Sequence, residues 1–377
     1  MRKLIPAAAA LLIAVQLRPL RTFGEEPPEI SAKAAAVITA DTAETVYISG
    51  EQGKLPMAST TKIMTALLTI ESGDLYQEFT VDPDAIKVEG SSMGLQEGDT
   101  VTKYALCCGM LLPSGNDAAN AAAVRIAGSQ ERFAELMNAR AQELGLSHTY
   151  FVTPSGLEGE GHGSSASDMA LLAREALKSP IFREICSQES MKVTFGDPPY
   201  DRWLKNTNKL LSLCGGTYGV KTGFTDEAGR CLVSACRRDG KDLICVTLND
   251  SDDWNDHMAL YDYAFQKARL IKPEPGEFSV TVVGGEAGEV KCAPEELPQL
   301  TALDAQPGEL EYRLISAPFV YAPVMAGDKT AQLSISRNGR EITRIPLIAQ
   351  EDVPATVPKP VKKGVWQRIR SFFRGIF

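Results

Sequence analysis

Apolar and polar positions alternate over residues 34–49 around Asp41-Thr42-Ala43-Glu44, which predicts a two-stranded hairpin. The period then changes. From Ser59 the run TKIMTALLTIES sets Ile63, Ala66, Leu67 and Ile70 on one side, the spacing of a helix. Ser129 is placed to cap another helix, whose Phe133, Leu136, Met137, Ala141 and Leu144 share a face before Gly145 ends it. Met169, Leu172, Ala173, Ala176 and Leu177 repeat that pattern ahead of Lys178-Ser179-Pro180. Apolar runs at 229–236 and 243–248 flank Arg238-Asp239-Gly240-Lys241, and Asp-Gly in that position signals a tight hairpin. A helix follows over about 254–267.

Lys272-Pro273-Glu274-Pro275-Gly276 breaks the pattern and marks a domain boundary. Beyond it the helical period gives way to short strand-like runs at 278–283, 289–292, 310–315 and 320–325, and to a pair around Asn338-Gly339. Pro354, Pro358 and Pro360 make an extended spacer. The last stretch, VKKGVWQRIRSFFRGIF, gathers Val365, Trp366, Ile369, Phe372, Phe373 and Ile376 on one side of a helix, with Arg368, Arg370 and Arg374 mostly away from it. Such a helix suits the interface of an anionic membrane. At the other end Arg2 and Lys3 precede an apolar run over residues 4–15, too short to span a bilayer and suited to an export signal.

The organisation expected is a signal peptide at 1–24, a mixed helix-and-sheet domain at 30–272, a small all-β domain at 276–350, a Pro-rich spacer at 351–360 and an amphipathic anchor at 361–377. An exported protein held peripherally on the outer face of the cytoplasmic membrane follows from that order. With 377 residues, 44% hydrophobic and 23% charged, composition excludes a disordered chain and agrees with two globular domains. The net charge of −9 hides an asymmetry: ten of the 39 basic residues lie in the two ends, leaving 29 against 48 acids between them. A body at −19 is a poor footprint for a nucleic-acid binder. The eight cysteines include adjacent Cys107 and Cys108, form no CxxC pair, and place Cys231, Cys236 and Cys245 in strand-like runs. They read as buried free thiols, and no zinc-ligand spacing, other metal cluster or phosphate loop implies a cofactor.

The chemistry concentrates in three short segments. If Ser59 opens a helix, Lys62 lies one turn on and on the same side, so its amine can reach the hydroxyl. A lysine acts as a base only when neutral, and the positive end of the helix dipole or a second cation would lower its pKa. Ser114-Gly115-Asn116 places a hydroxyl and an amide just before the helix DAANAAAVRIAG. Lys221-Thr222-Gly223, followed by Phe224, supplies the second cation, a hydroxyl and a bare backbone position on a strand that an extended peptide could approach.

This order, SxxK then SxN then KTG, resembles the serine penicillin-recognising enzymes, here with SGN where SDN is the commoner form. The strings ADTAETVY, MASTTKIMTALL, GMLLPSGNDAANA, HTYFVTPSGLEGEGH, SDMALLARE, NTNKLL and GVKTGFTDEAG extend the resemblance to the D-alanyl-D-alanine carboxypeptidases, low-molecular-mass penicillin-binding proteins, over residues 34–270. The resemblance implies a transpeptidase-like fold, a five-stranded antiparallel sheet covered by helices with a helical subdomain beside it. It implies Ser59 as nucleophile, Lys62 as base and Ser114 as proton relay. Asn116, Lys221, Thr222, Gly223 and Phe224 would bind substrate, a peptidoglycan stem peptide or a β-lactam antibiotic in its place.

One departure concerns the substrate carboxylate. Some relatives carry an arginine shortly after the KTG strand pair, where this chain has Asp252-Asp253-Trp254-Asn255-Asp256-His257, with His257 the candidate substitute. Competing readings are an α/β-hydrolase elbow at Gly90-Ser91-Ser92-Met93-Gly94, which would need a strand before it and a helix after it. A class A β-lactamase would need a water-activating glutamate, for which Glu135 is the only similar string, inside an amphipathic helix. A cell-wall binding protein that has lost turnover shares the same motifs. His162, among glycines, reads as structural.

Overall fold

Strand β1 (Ala34–Thr39) pairs with β2 (Thr45–Gly50) as the hairpin pattern requires, yet all six residues of β1 are buried. Only β2 has a solvent face, because β1 lies inside the sheet. A 3₁₀ turn (Ala58–Thr61) runs into α1 (Lys62–Glu71), and β3 (Glu78–Thr80) pairs with β4 (Thr100–Thr102). Then follow α2 (Lys103–Leu111), α3 (Asn116–Ala127), α4 (Gln130–Glu143), α5 (Ala166–Ala176) and α6 (Pro180–Cys186). The side chains of Thr102, Ser129, Ser165 and Ser179 cap α2, α4, α5 and α6 by accepting a backbone N–H three residues on. A hairpin of β5 (Ser190–Gly196) and β6 (Pro199–Lys205) precedes the single turn α7 (Leu210–Leu213). Strands β7 (Thr217–Thr225), β8 (Gly229–Arg238) and β9 (Lys241–Leu248) and helix α8 (Asp253–Lys267) complete this part.

The computed structural model describes residues 26–357, so the export signal and the anchor helix read from the sequence lie outside the described residues. The main sheet is antiparallel in the order β2-β1-β9-β8-β7. One face meets α8, where Ala35, Val37, Leu243 and Cys245 pack with Leu260, Tyr261 and Ala264. The other meets the helices, where Ala36, Ile38 and Val246 join a cluster holding Ile63, Phe133 and Ala173. Each such large apolar side chain contributes about 1.5–3 kcal/mol on burial. All eight cysteines are buried and unbridged.

The strand β10 (Arg269–Ile271) leads away to β11 (Phe278–Val283), β12 (Glu289–Pro294), β13 (Leu300–Ala302), β14 (Glu311–Ile315), β15 (Val320–Tyr321), β16 (Lys329–Arg337) and β17 (Arg340–Ala349). Six of these form a second sheet in the order β14-β16-β17-β12-β11-β15 around its own core, while β13 turns back to pair with β10. The 320–325 run yields only two strand residues, since Pro323 has no N–H to donate. The turns at Asp239-Gly240 and Asn338-Gly339 have positive φ at both positions (49° and 78°, 52° and 72°), which is why Asp-Gly and Asn-Gly occur there.

The β1–β2 turn joins the first part of the chain to the second through polar bonds, most of them partly buried, to the β13 segment and to β16. Asp41 accepts the Thr301 N–H at 2.6 Å, and Glu44 accepts those of Leu303, Asp304 and Ala305 at 2.9, 2.9 and 3.0 Å while pairing with Arg337 at 2.9 Å. Burial opposes the Glu44 charge, but hydrogen bonds from Thr42 and these backbone N–H groups win and pull its pKa from 4.5 to about 2. A depressed carboxyl pKa stabilises the fold above its unfolded value and loses that contribution as pH falls from 4.5 toward about 2. Glu44→Gln is expected to cost about 1 kcal/mol at neutral pH, discounted for partial solvent screening, and to flatten the acid slope; urea midpoints measured across pH for both proteins check this.

Candidate active site

The turn Ala58–Thr61 and the first turn of α1 bring the SxxK residues together. Lys62 Nζ lies 2.7 Å from Ser59 Oγ, 2.7 Å from Asn116 Oδ1 and 2.5 Å from the Ser155 carbonyl oxygen. The Asn116 orientation is set by its amide Nδ2, which donates to the Glu89 carbonyl at 2.7 Å. Lys62 is fully buried. Burial, and next the like charge of Lys221, hold its pKa well below 10.5, with Asp117 opposing. A neutral amine has two N–H donors and one lone pair. Asn116 Oδ1 and the Ser155 carbonyl can only accept, so the lone pair is left to face the Ser59 hydroxyl. The arrangement can therefore take the hydroxyl proton.

The edge strand β7 closes against that turn. A Cβ on Gly223 would lie 3.0 Å from the Met57 carbonyl oxygen and 3.1 Å from Ser59 N and Thr60 N, so only glycine lets the strand come this near. Lys221 is fully buried, donates to the Thr222 carbonyl at 2.8 Å, and is pushed down by burial to about 7. Thr222 Oγ1 meets Thr207 Oγ1 at 2.6 Å. Ser114, at φ 67°, Phe224, 63% exposed, Thr222, Gly223 and Ser59 line one cleft of about 330 Å³. Asn116 and Lys221 are buried and are not among its lining residues. A larger concavity of about 950 Å³, between the 272–278 segment and β12, carries no hydroxyl–amine pair.

Other candidates fall elsewhere. His257, the substitute considered for carboxylate binding, is a fully buried residue of α8 with its ring between Ser234 Oγ at 2.7 Å and Thr247 Oγ1 at 3.0 Å. Burial lowers it to about 3, and it does not line the cleft. His162 accepts the Val152 N–H on Nδ1 at 2.9 Å, so Nε2 carries the proton given to Thr61 Oγ1 at 2.9 Å, a brace on the turn that carries Ser59. Gly90-Ser91-Ser92-Met93-Gly94 is a loop, not a strand-to-helix elbow. Glu135 faces solvent on α4.

Several contributors were not read from the sequence. Asp117 ties down the loop before it, accepting from Ser92 Oγ at 2.6 Å and from the N–H groups of Met93, Gly94 and Leu95 at 2.9, 3.0 and 3.0 Å. Its place directly after Asn116 was the only signal. Arg230, on β8 opposite Phe224, also lines the cleft, bonded to Asp253 at 2.5 Å with its guanidinium 5.3 Å from the Trp254 ring centre. No spacing motif links Arg230 to Asp253. Among the described residues no group of three or more His, Cys, Asp or Glu is placed to hold a metal.

Comparison with known proteins agrees with this geometry. Residues 21–252 match the family Peptidase_S11, described as D-alanyl-D-alanine carboxypeptidase. The chain is 32% identical over 335 residues to D-alanyl-D-alanine carboxypeptidase DacF of Bacillus subtilis, covering 85% of this chain and 86% of that one. It is 32% identical over 349 residues to DacC of Escherichia coli, covering 87% and 86%. The crystal structure of DacD from Francisella tularensis superposes with a TM-score of 0.61 at 25% identity over 88% of this chain and 96% of that one. That of the Streptomyces K15 DD-transpeptidase does so with 0.61 at 30% identity over 64% and 99%. The hydroxyl–amine pair, the turn and helix that carry it beside the main sheet, and these likenesses place the chain in the S11 family of serine D-alanyl-D-alanine carboxypeptidases.

Proposed function

We propose that the chain removes the terminal D-alanine from peptidoglycan stem pentapeptides through an acyl-enzyme on Ser59. The observation that carries this reading is the 2.7 Å approach of the buried Lys62 Nζ to Ser59 Oγ, with two pure acceptors, Asn116 Oδ1 and the Ser155 carbonyl, at its other contacts. Lys62 takes the hydroxyl proton as Ser59 attacks the carbonyl of the penultimate D-alanine. The N–H groups of Ser59 and Phe224 hold the oxyanion, worth on the order of 3–4 kcal/mol per donor; the tight packing of Gly223 on Ser59 N supports this pairing. Ser114 passes a proton to the departing D-alanine, Asn116 braces Lys62 and the substrate amide, and water releases the shortened peptide.

Lys221 and Thr222 take the terminal carboxylate, with Arg230 as a further cation. Its guanidinium spends one contact on Asp253, and its Nε has no partner among the described residues. β-Lactams acylate the same serine because they present a similar carbonyl and carboxylate. The residues lining the cleft include no glutamate to activate water, which favours a lasting adduct over a lactamase cycle. The apolar run after Arg2 and Lys3, and the basic amphipathic pattern at 361–377, support export and peripheral attachment to an anionic membrane.

Ser59→Ala is expected to lower D-alanine release by about 10⁴-fold or more and to abolish labelling by a fluorescent penicillin; an adduct mapped by mass spectrometry to another residue would sink the assignment. Gly223→Ala pushes β7 off the catalytic turn and should cost about 10- to 100-fold in turnover with little loss of thermal stability, as kinetics and melting together report. Lys221 titrates at about 7 rather than 10.5, so it is a cation below that pH and neutral above it. The KM for a D-Ala-D-Ala substrate should therefore rise as pH increases through about 7, while kcat changes less.

A further inference from the structure

The β5–β6 hairpin stands beside the cleft with one face committed and one face open. Val193, Phe195 and Leu204 are buried on the inner face. Arg202 locks that face down, donating to the Gly94 carbonyl at 2.7 Å and lying 3.9 Å from the Phe195 ring centre and 4.2 Å from that of Tyr200. The hairpin is thus a fixed platform, not a loose flap.

On its outer face Trp203 is 72% exposed, directly across from Lys192 in the strand register. Isolated exposed apolar residues are common, but a tryptophan left this open on a rigid strand offers a large flat face with no internal partner. Its polar neighbours are held in place. Asp201 accepts from Thr194 Oγ1 at 2.6 Å and pairs with Lys192 at 2.9 Å. An aromatic face bordered by fixed donors and acceptors fits a sugar ring, whose C–H face stacks while its hydroxyl and amide groups bond at the rim.

The chain leaving that strand then runs to the cleft. Four residues beyond Trp203, about 13 Å along an extended chain, Thr207 lines the cleft and bonds to Thr222. Lys205 and Lys209 lie on this path and have no ion-pair partner among the described residues, in a chain whose body is otherwise acidic. They match the carboxylates of an acidic peptide entering the cleft.

We infer that the outer face of the β5–β6 hairpin, centred on Trp203, docks the sugar strand to which the stem peptide is attached, so that the enzyme prefers polymeric over free peptide substrate. This rests on the carboxypeptidase reading proposed above and names the part of the substrate that the cleft itself does not hold.

The test compares the full chain with its Trp203→Ala and Trp203→Phe variants. D-Alanine release is measured on a soluble pentapeptide analogue and on insoluble peptidoglycan carrying pentapeptides, and binding to the same polymer by co-sedimentation. Trp203→Ala is expected to lower release from the polymer, and the bound fraction, about fivefold, while the soluble analogue changes by less than about twofold; Trp203→Phe should restore most of the difference. An equal loss on both substrates, or no loss on the polymer and unchanged sedimentation, would overturn the inference. If the wild-type chain released D-alanine from neither substrate, the functional reading would fail, and sedimentation would still decide the docking face.

Discussion

A lysine amine removed from water and surrounded by fixed acceptors is the constraint on which the rest of the site depends. Buried as an ammonium, Lys62 would need compensation that the single carboxylate of Asp117, already spent on four N–H groups and a hydroxyl, supplies only weakly. Neutral, it fits its three neighbours. Much of the helical part serves to hold those neighbours. The Ser155 carbonyl sits on a loop pinned by Asn138 of α4, which exchanges two bonds with the Phe151 backbone, and by Asp168 of α5, which accepts from the His148 N–H and Thr149. Gly156 follows at φ 86°, where a Cβ would meet the Ala58 carbonyl oxygen at 2.1 Å, so this loop and the turn that carries Ser59 can touch only through a glycine.

The edge strand imposes the second half of the arrangement. Lys221 on β7 and Lys62 on α1 lie in one buried region, and the like charge of Lys221 adds to burial in making protonation of Lys62 less favourable. Burial brings Lys221 to about 7 and holds Lys62 well below 10.5, so both amines give up a proton far more readily than an exposed lysine. Gly223 sets the spacing between them, because any side chain there would part the strand from the turn that carries Ser59.

Local pattern made most elements of the first part legible. Ser129 and the Phe133–Met137 spacing marked α4, and Asp239-Gly240 marked the β8–β9 turn, since caps and turns are decided within a few residues. The six buried residues of β1 were harder to read as alternation, because a strand with neighbours on both faces has no polar side. Ser59 and Lys62 were legible for the same local reason, being one helical turn apart. Asn116 and Lys221 were legible only through the motif order, since 54 residues separate Lys62 from Asn116 in the chain. The Ser155 carbonyl, the Asp117 anchor and the Arg230–Asp253 pair are products of tertiary packing, in which a backbone oxygen or an unremarkable charge gains a role from what the fold sets beside it.

The Arg230–Asp253–Trp254 group shows how a cleft can keep a cation ready without leaving it to roam. An exposed arginine loses side-chain freedom on binding, and that loss weakens the contact. Here Asp253, itself nearly buried, holds one nitrogen of the guanidinium, and the Trp254 ring lies along it. Burial pushes the Asp253 carboxyl up, with Arg230 pulling it back, so the pair is mutually dependent. A guanidinium offers five N–H donors in a plane, and an incoming carboxylate can share the fork without displacing the aspartate. On the proposed reading, carboxylate recognition would combine the buried Lys221, which responds to pH, with the surface guanidinium of Arg230, held by the acidic segment that stands where some relatives carry an arginine.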